Sequence, residues 1–256
     1  MSKQIEDLKV IRRKLISPDY FLIELQSPRK LQTILPGQFA ELLIDRSPAT
    51  FLRRPFSVHD VNYVRKSMTF LIRIAGTGTR TLSGIREGEY VNTLYPLGKP
   101  FSFRSLDNVL LIAGGCGAAP LFFLARHLSE NGVATSVLLG GKTKKDIIIV
   151  DEFEKYSTVY ITTEDGTLGE KGFVTEHSLL RKKRGAIRFI YSCGPRAMLE
   201  AVADYARLNR IECEVSLENM MACGIGACLC CVTGTIKGNQ CVCTEGPVFN
   251  SSLLKW

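Results

Sequence analysis

The chain has 256 residues, of which 45% are hydrophobic and 23% charged, and its formal net charge is +8. These are globular values, and the length suits two domains or one domain with appendages. The first residues mix charges of both signs without an apolar stretch, which argues against a secretory signal. The longest uncharged run, residues 109–125, holds glycines and a proline, so it predicts a strand, a turn and a helix and not a membrane span.

Basic clusters at residues 12–14, 142–145 and 181–184 would permit a nucleic-acid interpretation. No aromatic interleaving or zinc-finger spacing accompanies them, so solvated faces and contacts to nucleotide phosphates are favoured, and no nucleic-acid partner is expected. Nine cysteines without a signal peptide indicate a reducing cytoplasm in which the thiols serve as metal ligands.

Residues 1–103 contain short apolar and β-branched runs separated by Pro and Gly, a pattern that predicts a small antiparallel barrel. The runs are residues 10–16, 20–25, 39–44, 68–75 and 90–95. One motif, RRPFS at residues 53–57, places arginines beside a proline-fixed backbone that can meet a pyrophosphate, with a hydroxyl that can reach a ring nitrogen. A second, GTGT at residues 76–79, enters a short helix whose N–H groups can bind phosphate oxygens. Alone, each motif fits an ordinary turn equally well.

From residue 104 to 216 strands and helices alternate, which predicts a doubly wound parallel sheet that binds its ligand at the carboxyl ends of its strands. The expected strands are residues 109–113, 133–139, 159–163 and 189–192, and the expected helices are residues 121–129, 173–180 and 196–208.

Two turns of this segment are candidates for nucleotide binding. Gly115, Gly117 and Pro120 form a G-x-G-x-x-P turn, which departs from the dinucleotide fingerprint and also suits a packing turn. Cys193-Gly194-Pro195 follows the last long strand, and the alternative is a buried cysteine before a helix-starting proline. Lysines at positions 142, 144 and 145, with an aspartate behind them, leave NAD versus NADP open, and residues 163–166 are a candidate for the adenosine side.

Residues 217–256 form a third, cysteine-rich lobe. Cys223, Cys228, Cys231 and Cys243 have the C-x4-C-x2-C…C spacing of a plant-type [2Fe–2S] site, in which one tight loop and a returning strand wrap the cluster. A structural zinc site and disulfides are the alternatives. A Rieske centre is disfavoured because all three histidines lie outside this segment. The other two cysteines of the segment, at positions 230 and 241, are spare.

The first two segments resemble the ferredoxin–NADP reductase superfamily, through R-P-F-S, the phosphate turn, G-G-x-G-x-x-P and C-G-P. With T-x-D-G-x-x-G-x-x-G and C-G-x-G-A-C-x-x-C…V-C-x-x-G-P-V-F, the whole chain resembles the electron-transfer subunits of type B dihydroorotate dehydrogenases. The resemblance implies cluster ligands at the four cysteines named above. It also implies FAD at Arg54, Pro55, Phe56, Ser57, Leu71, Ile72, Arg73, Gly78 and Thr79, with the arginine role left open between Arg53 and Arg54. It implies NAD at Gly115, Gly117, Pro120, Cys193, Gly194 and Pro195.

The function implied is transfer of electrons from dihydroorotate, oxidised on an FMN-containing catalytic subunit, through the cluster and FAD to NAD+, in pyrimidine biosynthesis. The resemblance implies a heterotetramer with two copies of each subunit. Another flavin/iron–sulfur NAD(P)H reductase subunit, of ferredoxin–NADP or sulfide dehydrogenase type, is the main alternative, and a zinc-binding interaction module is a second. Trp256, at the end of the tail, is expected either to pack on its own domain or to contact the partner.

Overall fold

The computed structural model describes residues 2–45, 50–103, 108–182 and 186–256. The predicted boundary at residue 104 and positions 183 and 184 of the predicted basic cluster lie outside these ranges. The strands are β1 (Gln4–Ser17), β2 (Tyr20–Gln26), β3 (Phe39–Leu42), β4 (Arg54–Ser57), β5 (Asp60–Asn62), β6 (Ser67–Arg73), β7 (Tyr90–Leu97), β8 (Val109–Gly114), β9 (Thr135–Gly141), β10 (Ser157–Thr163), β11 (Glu170–Lys171), β12 (Phe189–Cys193), β13 (Glu212–Ser216), β14 (Val232–Thr235), β15 (Gly238–Cys241) and β16 (Val248–Asn250). The helices are α1 (Thr77–Ser83), α2 (Ala118–Glu130), α3 (Val150–Phe153), α4 (Ser178–Lys182), α5 (Arg196–Leu208) and α6 (Val242–Glu245).

The first sheet is antiparallel and has the strand order β4-β3-β7-β1-β2-β6-β5. Its two edge strands are consecutive in the chain, separated only by Val58 and His59. The Val58 N–H donates to the Gln38 carbonyl at 3.0 Å and the His59 N–H to the Thr69 carbonyl at 2.9 Å. The sheet therefore curls until its two edges share one chain segment, which confirms the predicted antiparallel barrel architecture.

Residues of β3 alternate between two cores, as expected for a strand with two buried faces. Ala40 and Leu42 lie in the barrel interior. Phe39 points the other way and packs in a core that contains Cys231 and Cys243. The outer face of β3 is thus the surface where the barrel meets the cysteine-rich lobe.

The second sheet has the order β11-β10-β9-β8-β12-β13-β16, in which every pairing is parallel except that of β13 with β16. Leu111 faces the core shared with α2, while Leu110 and Ile112 face the core shared with α5. Helices therefore cover both faces, which confirms the predicted doubly wound sheet. No described helix combines the length and the apolar character needed to cross a membrane.

The helix predicted over residues 173–180 is wrong as a single element. The structure has a 3-10 turn at Val174–Glu176 and a separate helix α4. His177 interrupts them with an extended backbone (ψ 138°), and its buried ring accepts the Leu179 N–H at Nδ1, 3.1 Å away. The extended backbone of His177 ends the first turn, and its side chain caps the helix that follows.

The C-terminal segment ties the cysteine-rich lobe to the other two parts. The Lys99 N–H, at the exit of the barrel, donates to the Gly246 carbonyl at 2.5 Å, and the Leu217 N–H donates to the Pro247 carbonyl at 2.9 Å. Strand β16 then extends the second sheet beside β13. The carboxyl ends of the parallel strands, the outer face of β3 and the cysteine loop consequently meet.

Candidate functional site

The cysteine loop between Cys223 and Cys231 is wound tightly around its first sulfur. Gly224, Gly226 and Leu229 adopt left-handed conformations, with φ of 64°, 84° and 58°. The Cys228 N–H donates to the Cys223 Sγ at 3.4 Å. Burial opposes ionisation of Cys223, but hydrogen bonds from the loop backbone outweigh it and lower the pKa of this thiol to about 6. The loop therefore favours the thiolate, the form that binds iron.

The returning segment brings the fourth predicted ligand to the same place. The Cys243 N–H donates to the Cys231 Sγ at 3.4 Å, and both residues are buried. Burial, with the neighbouring Cys231 adding to it, raises the pKa of the Cys243 thiol to about 12, and Cys223 also contributes. The four predicted ligands thus share one neighbourhood, and thiols with backbone N–H groups aimed at sulfur fit an iron–sulfur cluster. In the described ranges, no three His, Cys, Asp or Glu residues converge as ligands of a single metal ion.

The two spare cysteines differ in position. Cys230 is exposed. Cys241 lies close enough to Cys231 for that thiol to add to the rise in its pKa, after the larger contribution of burial. Exposure does not by itself separate Cys230 from the predicted ligands, since Cys228 is exposed as well, so the distinction rests on the spacing.

The arginines of the barrel motif have different surroundings. The Arg53 guanidinium donates to the Asn92 carbonyl at 2.9 Å and also to the Asn92 side chain and the Glu41 carbonyl, so it fastens β3 to β7. The Arg54 guanidinium donates to the carbonyls of Leu52 at 3.1 Å and Arg53 at 3.3 Å, within its own turn. This difference favours Arg54 for an anionic ligand. Pro55 and Ser57 share its half-buried strand β4, and Phe56 packs against the barrel core.

Side chains around the predicted phosphate turn divide into buried and exposed ones. Leu71 and Ile72 are 3% and 1% exposed, so only their backbone can face a cofactor, whereas Arg73 is exposed. The Thr79 hydroxyl accepts the N–H groups of Ala75 at 2.9 Å and Gly76 at 3.1 Å. Thr79 therefore shapes the turn. A Cβ at Gly78 would lie 3.0 Å from the methyl group of Thr50, a tight contact that glycine avoids.

The two candidate nucleotide turns touch each other. Strands β8 and β12 are neighbours, with Ala113 opposite Cys193. A Cβ on Gly117 would lie 2.0 Å from the Cys193 carbonyl oxygen, so only glycine permits this approach. Gly115 has φ of 52°, while Pro120 is buried in α2. The fold thus brings both motifs to the carboxyl edge of one parallel sheet, where such folds bind nucleotides.

A cavity of about 470 Å³ opens beside the second turn, bordered by Gly194, Pro195, Glu218 and the C-terminal tail. Sequence reasoning missed Glu218. Burial raises the pKa of the Cys116 thiol to about 12, and Glu218 adds to this rise and to that of the buried Cys193. Its position just after β13, at the same carboxyl edge, is the signal that predicts it.

The candidate residues for the adenosine side lie in turns that are held by hydrogen bonds within the turn. The Asp146 carboxylate accepts the N–H groups of Lys142 and Thr143, each at 3.1 Å, so it caps its own turn. Thr163 donates to the Leu168 carbonyl at 2.8 Å, closing the turn that contains residues 163–166. Lysines 142, 144 and 145 are exposed.

Glu41 is a second residue that sequence reasoning missed. It lies on the outer face of β3 with 0% exposure, and neither carboxylate oxygen has a hydrogen-bond partner within the described ranges. Burial raises its pKa to about 7, Cys223 adds to the rise, and Arg53 opposes it. The alternation of β3 predicts a two-sided buried strand, but nothing in the sequence indicates that a carboxylate faces the lobe.

Comparison with known proteins agrees with this geometry. Residues 218–255 match the family model of the iron-sulfur cluster binding domain of dihydroorotate dehydrogenase B, and residues 111–204 match the oxidoreductase NAD-binding domain. The chain is similar to two proteins named dihydroorotate dehydrogenase B (NAD(+)), electron transfer subunit. One, from Bacillus velezensis, is 39% identical over 84% of this chain and 85% of its own length. The other, from Fusobacterium nucleatum, is 34% identical over 97% of this chain and 98% of its own length.

Solved structures are similar over comparable lengths. A structure of the NADH-dependent reduced ferredoxin-NADP oxidoreductase superposes with a TM-score of 0.87 at 28% identity, covering 97% of this chain and 90% of that one. The ferredoxin reductase of carbazole 1,9a-dioxygenase, with a TM-score of 0.67 at 16% identity over 82% of this chain and 66% of its own, shows the fold alone.

Proposed function

The chain belongs to the family of electron-transfer subunits of dihydroorotate dehydrogenase B, and we propose that it passes electrons from a dihydroorotate-oxidising partner to NAD+ in pyrimidine biosynthesis. Its cofactors are FAD and an iron–sulfur cluster, with NAD as co-substrate. The observation that carries the proposal is the packing of the cysteine loop and the returning segment with Cys243 against the outer face of a flavin-type barrel. When bound, the flavin would supply the link between the nicotinamide, which exchanges two electrons at once, and the cluster, which exchanges one.

The residues of the chain bind and orient those groups. Arg54 and Arg73 supply positive charge at the barrel, and Ser57 supplies a hydroxyl at the end of β4. Gly117 lets the two nucleotide turns close on each other, beside the cavity that is open to a nicotinamide. We assign the cluster, of [2Fe–2S] type, to Cys223, Cys228, Cys231 and Cys243, with the loop N–H groups stabilising the sulfur charge. No acid–base group is needed for electron transfer itself.

Large apolar side chains are exposed at and next to the cysteine loop. Met220, just before the loop, is 84% exposed, and Ile225 and Leu229 within it are 47% and 63% exposed, a grouping typical of interaction surfaces. We propose that this surface docks an FMN-containing catalytic subunit, as a heterotetramer with two copies of each chain. Dihydroorotate would bind the partner, and the complex would act in the cytoplasm, where thiols stay reduced.

The first test is a visible absorption spectrum of the purified protein, oxidised and then titrated with NADH without air. Flavin bands with a broad iron–sulfur shoulder, both bleached by NADH, are expected. The next step adds the catalytic subunit and dihydroorotate, which should reduce the same bands. Flavin bands alone would contradict the cluster assignment, and a protein with neither chromophore would overturn the electron-transfer proposal.

A second candidate is the corresponding subunit of an NADH-dependent reduced ferredoxin–NADP oxidoreductase. It is favoured by the superposition at 28% identity over 97% of the chain. Reduction of the bands by dihydroorotate in the presence of the catalytic subunit separates the two, because only the first candidate predicts it. Failure of that reaction, combined with bleaching by reduced ferredoxin and its partner chain, would reverse the order.

A further inference from the structure

Glu41 stands at the boundary between the two electron-carrying parts of the chain. Its backbone pairs with Pro55 of β4 on one side and with Leu94 of β7 on the other. Pro55 belongs to the candidate flavin motif. The Glu41 side chain itself faces the cysteine loop.

The contact with that loop is direct. A Cβ on Gly224 would lie 2.7 Å from the Glu41 carboxyl carbon and 2.9 Å from each of its oxygens. Gly224, at φ of 64°, is the residue next to Cys223. The carboxyl group therefore occupies the space that any side chain at position 224 would fill, and the first turn of the loop rests on it.

The same carboxyl group is poorly placed for stability. It is fully buried, and no described group donates to either oxygen. The nearby Arg53 directs its N–H groups to Asn92 and to the backbone carbonyl of Glu41 instead. Burying a carboxylate without partners is costly, and an apolar side chain would fill the site at lower cost. Local arrangements that oppose stability concentrate where function requires them.

We propose that Glu41 is a positioning residue for electron transfer, which seats the Cys223–Gly224 turn on the barrel and lowers the reduction potential of the cluster held there. This rests on the proposed function, since it requires a cluster on Cys223. Reduction of the cluster adds one electron, hence one negative charge, beside the carboxylate. A negative charge in a dry site disfavours that addition, and charge and hydrogen bonding near the sulfurs are what proteins use to set cluster potentials.

The test compares Glu41→Gln, which keeps the shape and removes the charge, with Glu24→Gln. Glu24, on strand β2, is a matched control. It is a buried barrel carboxylate that accepts the Ser67 hydroxyl at 2.6 Å and pairs with Arg65. Strand β2 is not paired with β3. Potentials of cluster and flavin are measured by anaerobic titration at one alkaline pH, followed by visible absorption and electron paramagnetic resonance. Glu41→Gln should shift the cluster potential in the positive direction, with FAD content retained, and Glu24→Gln should leave it unchanged.

An unshifted cluster potential in Glu41→Gln, or an equal shift in Glu24→Gln, would overturn the proposal. If Glu41→Gln fails to hold its cluster, Glu41→Asp keeps the charge and withdraws it by one methylene. This variant should hold a cluster whose equilibrium constant for reduction differs from that of the wild type by less than tenfold. Loss of the cluster in Glu41→Asp as well would leave Glu41 only a structural role, contrary to the proposal. A wild-type protein without cluster or flavin would instead refute the proposed function, so the two failures are distinguishable.

Discussion

Two of the carboxyl groups buried in the barrel, Glu6 and Glu41, have opposite surroundings. Glu6, on β1, accepts the Ser27 hydroxyl at 2.9 Å, the Arg29 Nε–H at 2.5 Å and the Tyr95 hydroxyl. Burial opposes its ionisation, but these partners outweigh burial and lower the pKa of Glu6 below its ordinary value. Glu41, on β3, has no such partners in the described chain, and burial raises its pKa.

The difference follows from what each side of the barrel faces. The donors to the Glu6 carboxylate come from strand β7 and from the loop after β2, so satisfying these hydrogen bonds adds stability. The Glu41 side contacts the loop that carries Cys223. There an unpartnered carboxylate is a stability cost, which the proposed positioning role would explain. Variants on the Glu41 side can therefore be compared with variants on the Glu6 side.

The largest effect is expected from Cys223→Ser, which removes a proposed cluster ligand on the Glu41 side. Iron content and the broad absorption shoulder should disappear, while FAD remains bound, because the flavin motif lies on the barrel. Cys230→Ser, at the exposed spare thiol of the same loop, should keep both. Loss of FAD together with the cluster would show that the barrel and the lobe do not bind their cofactors independently.

Gly224→Ala should follow in size, since it forces a methyl group against Glu41. Overpacking of this kind costs about 1–3 kcal/mol, beyond the roughly 1–2 kcal/mol of a left-handed backbone. Gly238→Ala is the matched control, because Gly238 is also left-handed, at φ of 99°, but a Cβ there meets nothing within 4 Å. Iron content and the denaturant midpoint should fall more for Gly224→Ala. Adding Glu41→Ala should restore part of the loss, and equal effects of the two glycine variants would contradict the contact.

Much of the fold followed from the sequence because it depends on local pattern. Short apolar and β-branched runs predicted the barrel strands, and alternating strands and helices predicted the parallel sheet, down to helix α5 with both ends as expected. The helix over residues 173–180 was wrong because a buried His177 ring overrode helical periodicity. The hydrogen bond itself spans only two residues, but the burial that holds the ring in place, beside Tyr160, comes from tertiary packing that a local pattern does not contain.

For the site too, the sequence predicted only what depends on local spacing. Spacing alone placed Cys223, Cys228 and Cys231 on one loop, which is a local property. The choice between Arg53 and Arg54 needed Asn92, which lies on β7, and the role of Glu41 needed Gly224. Those contacts join strands and lobes far apart in the chain, so they appear only in the folded molecule.

Glu6→Gln tests the satisfied side. Removing a charged acceptor of several hydrogen bonds should lower the free energy of unfolding by about 2 kcal/mol at neutral pH. Because the folded-state pKa of Glu6 is lowered, its contribution is complete above its ordinary value of 4.5 and is lost as pH falls through the folded-state value. The difference between wild type and variant, from urea unfolding, should therefore shrink below that pH. A difference that persists unchanged in acid would mean that the negative charge of Glu6 does not contribute to stability.

The smallest effect is expected at the tail. Leu254 is buried and the Lys255 N–H donates to the Gly234 carbonyl at 3.1 Å, so the tail packs on its own lobe, and deleting it would damage that lobe. Trp256 itself is 39% exposed, so its side chain is available for a partner contact. Trp256→Ala should weaken binding of the catalytic subunit about tenfold, roughly 1.4 kcal/mol, without changing stability. Val64→Ala, at a 93% exposed position on the barrel, should leave affinity unchanged. Unchanged affinity in Trp256→Ala as well would place the partner contact on the cysteine loop alone, on the Glu41 side of the molecule.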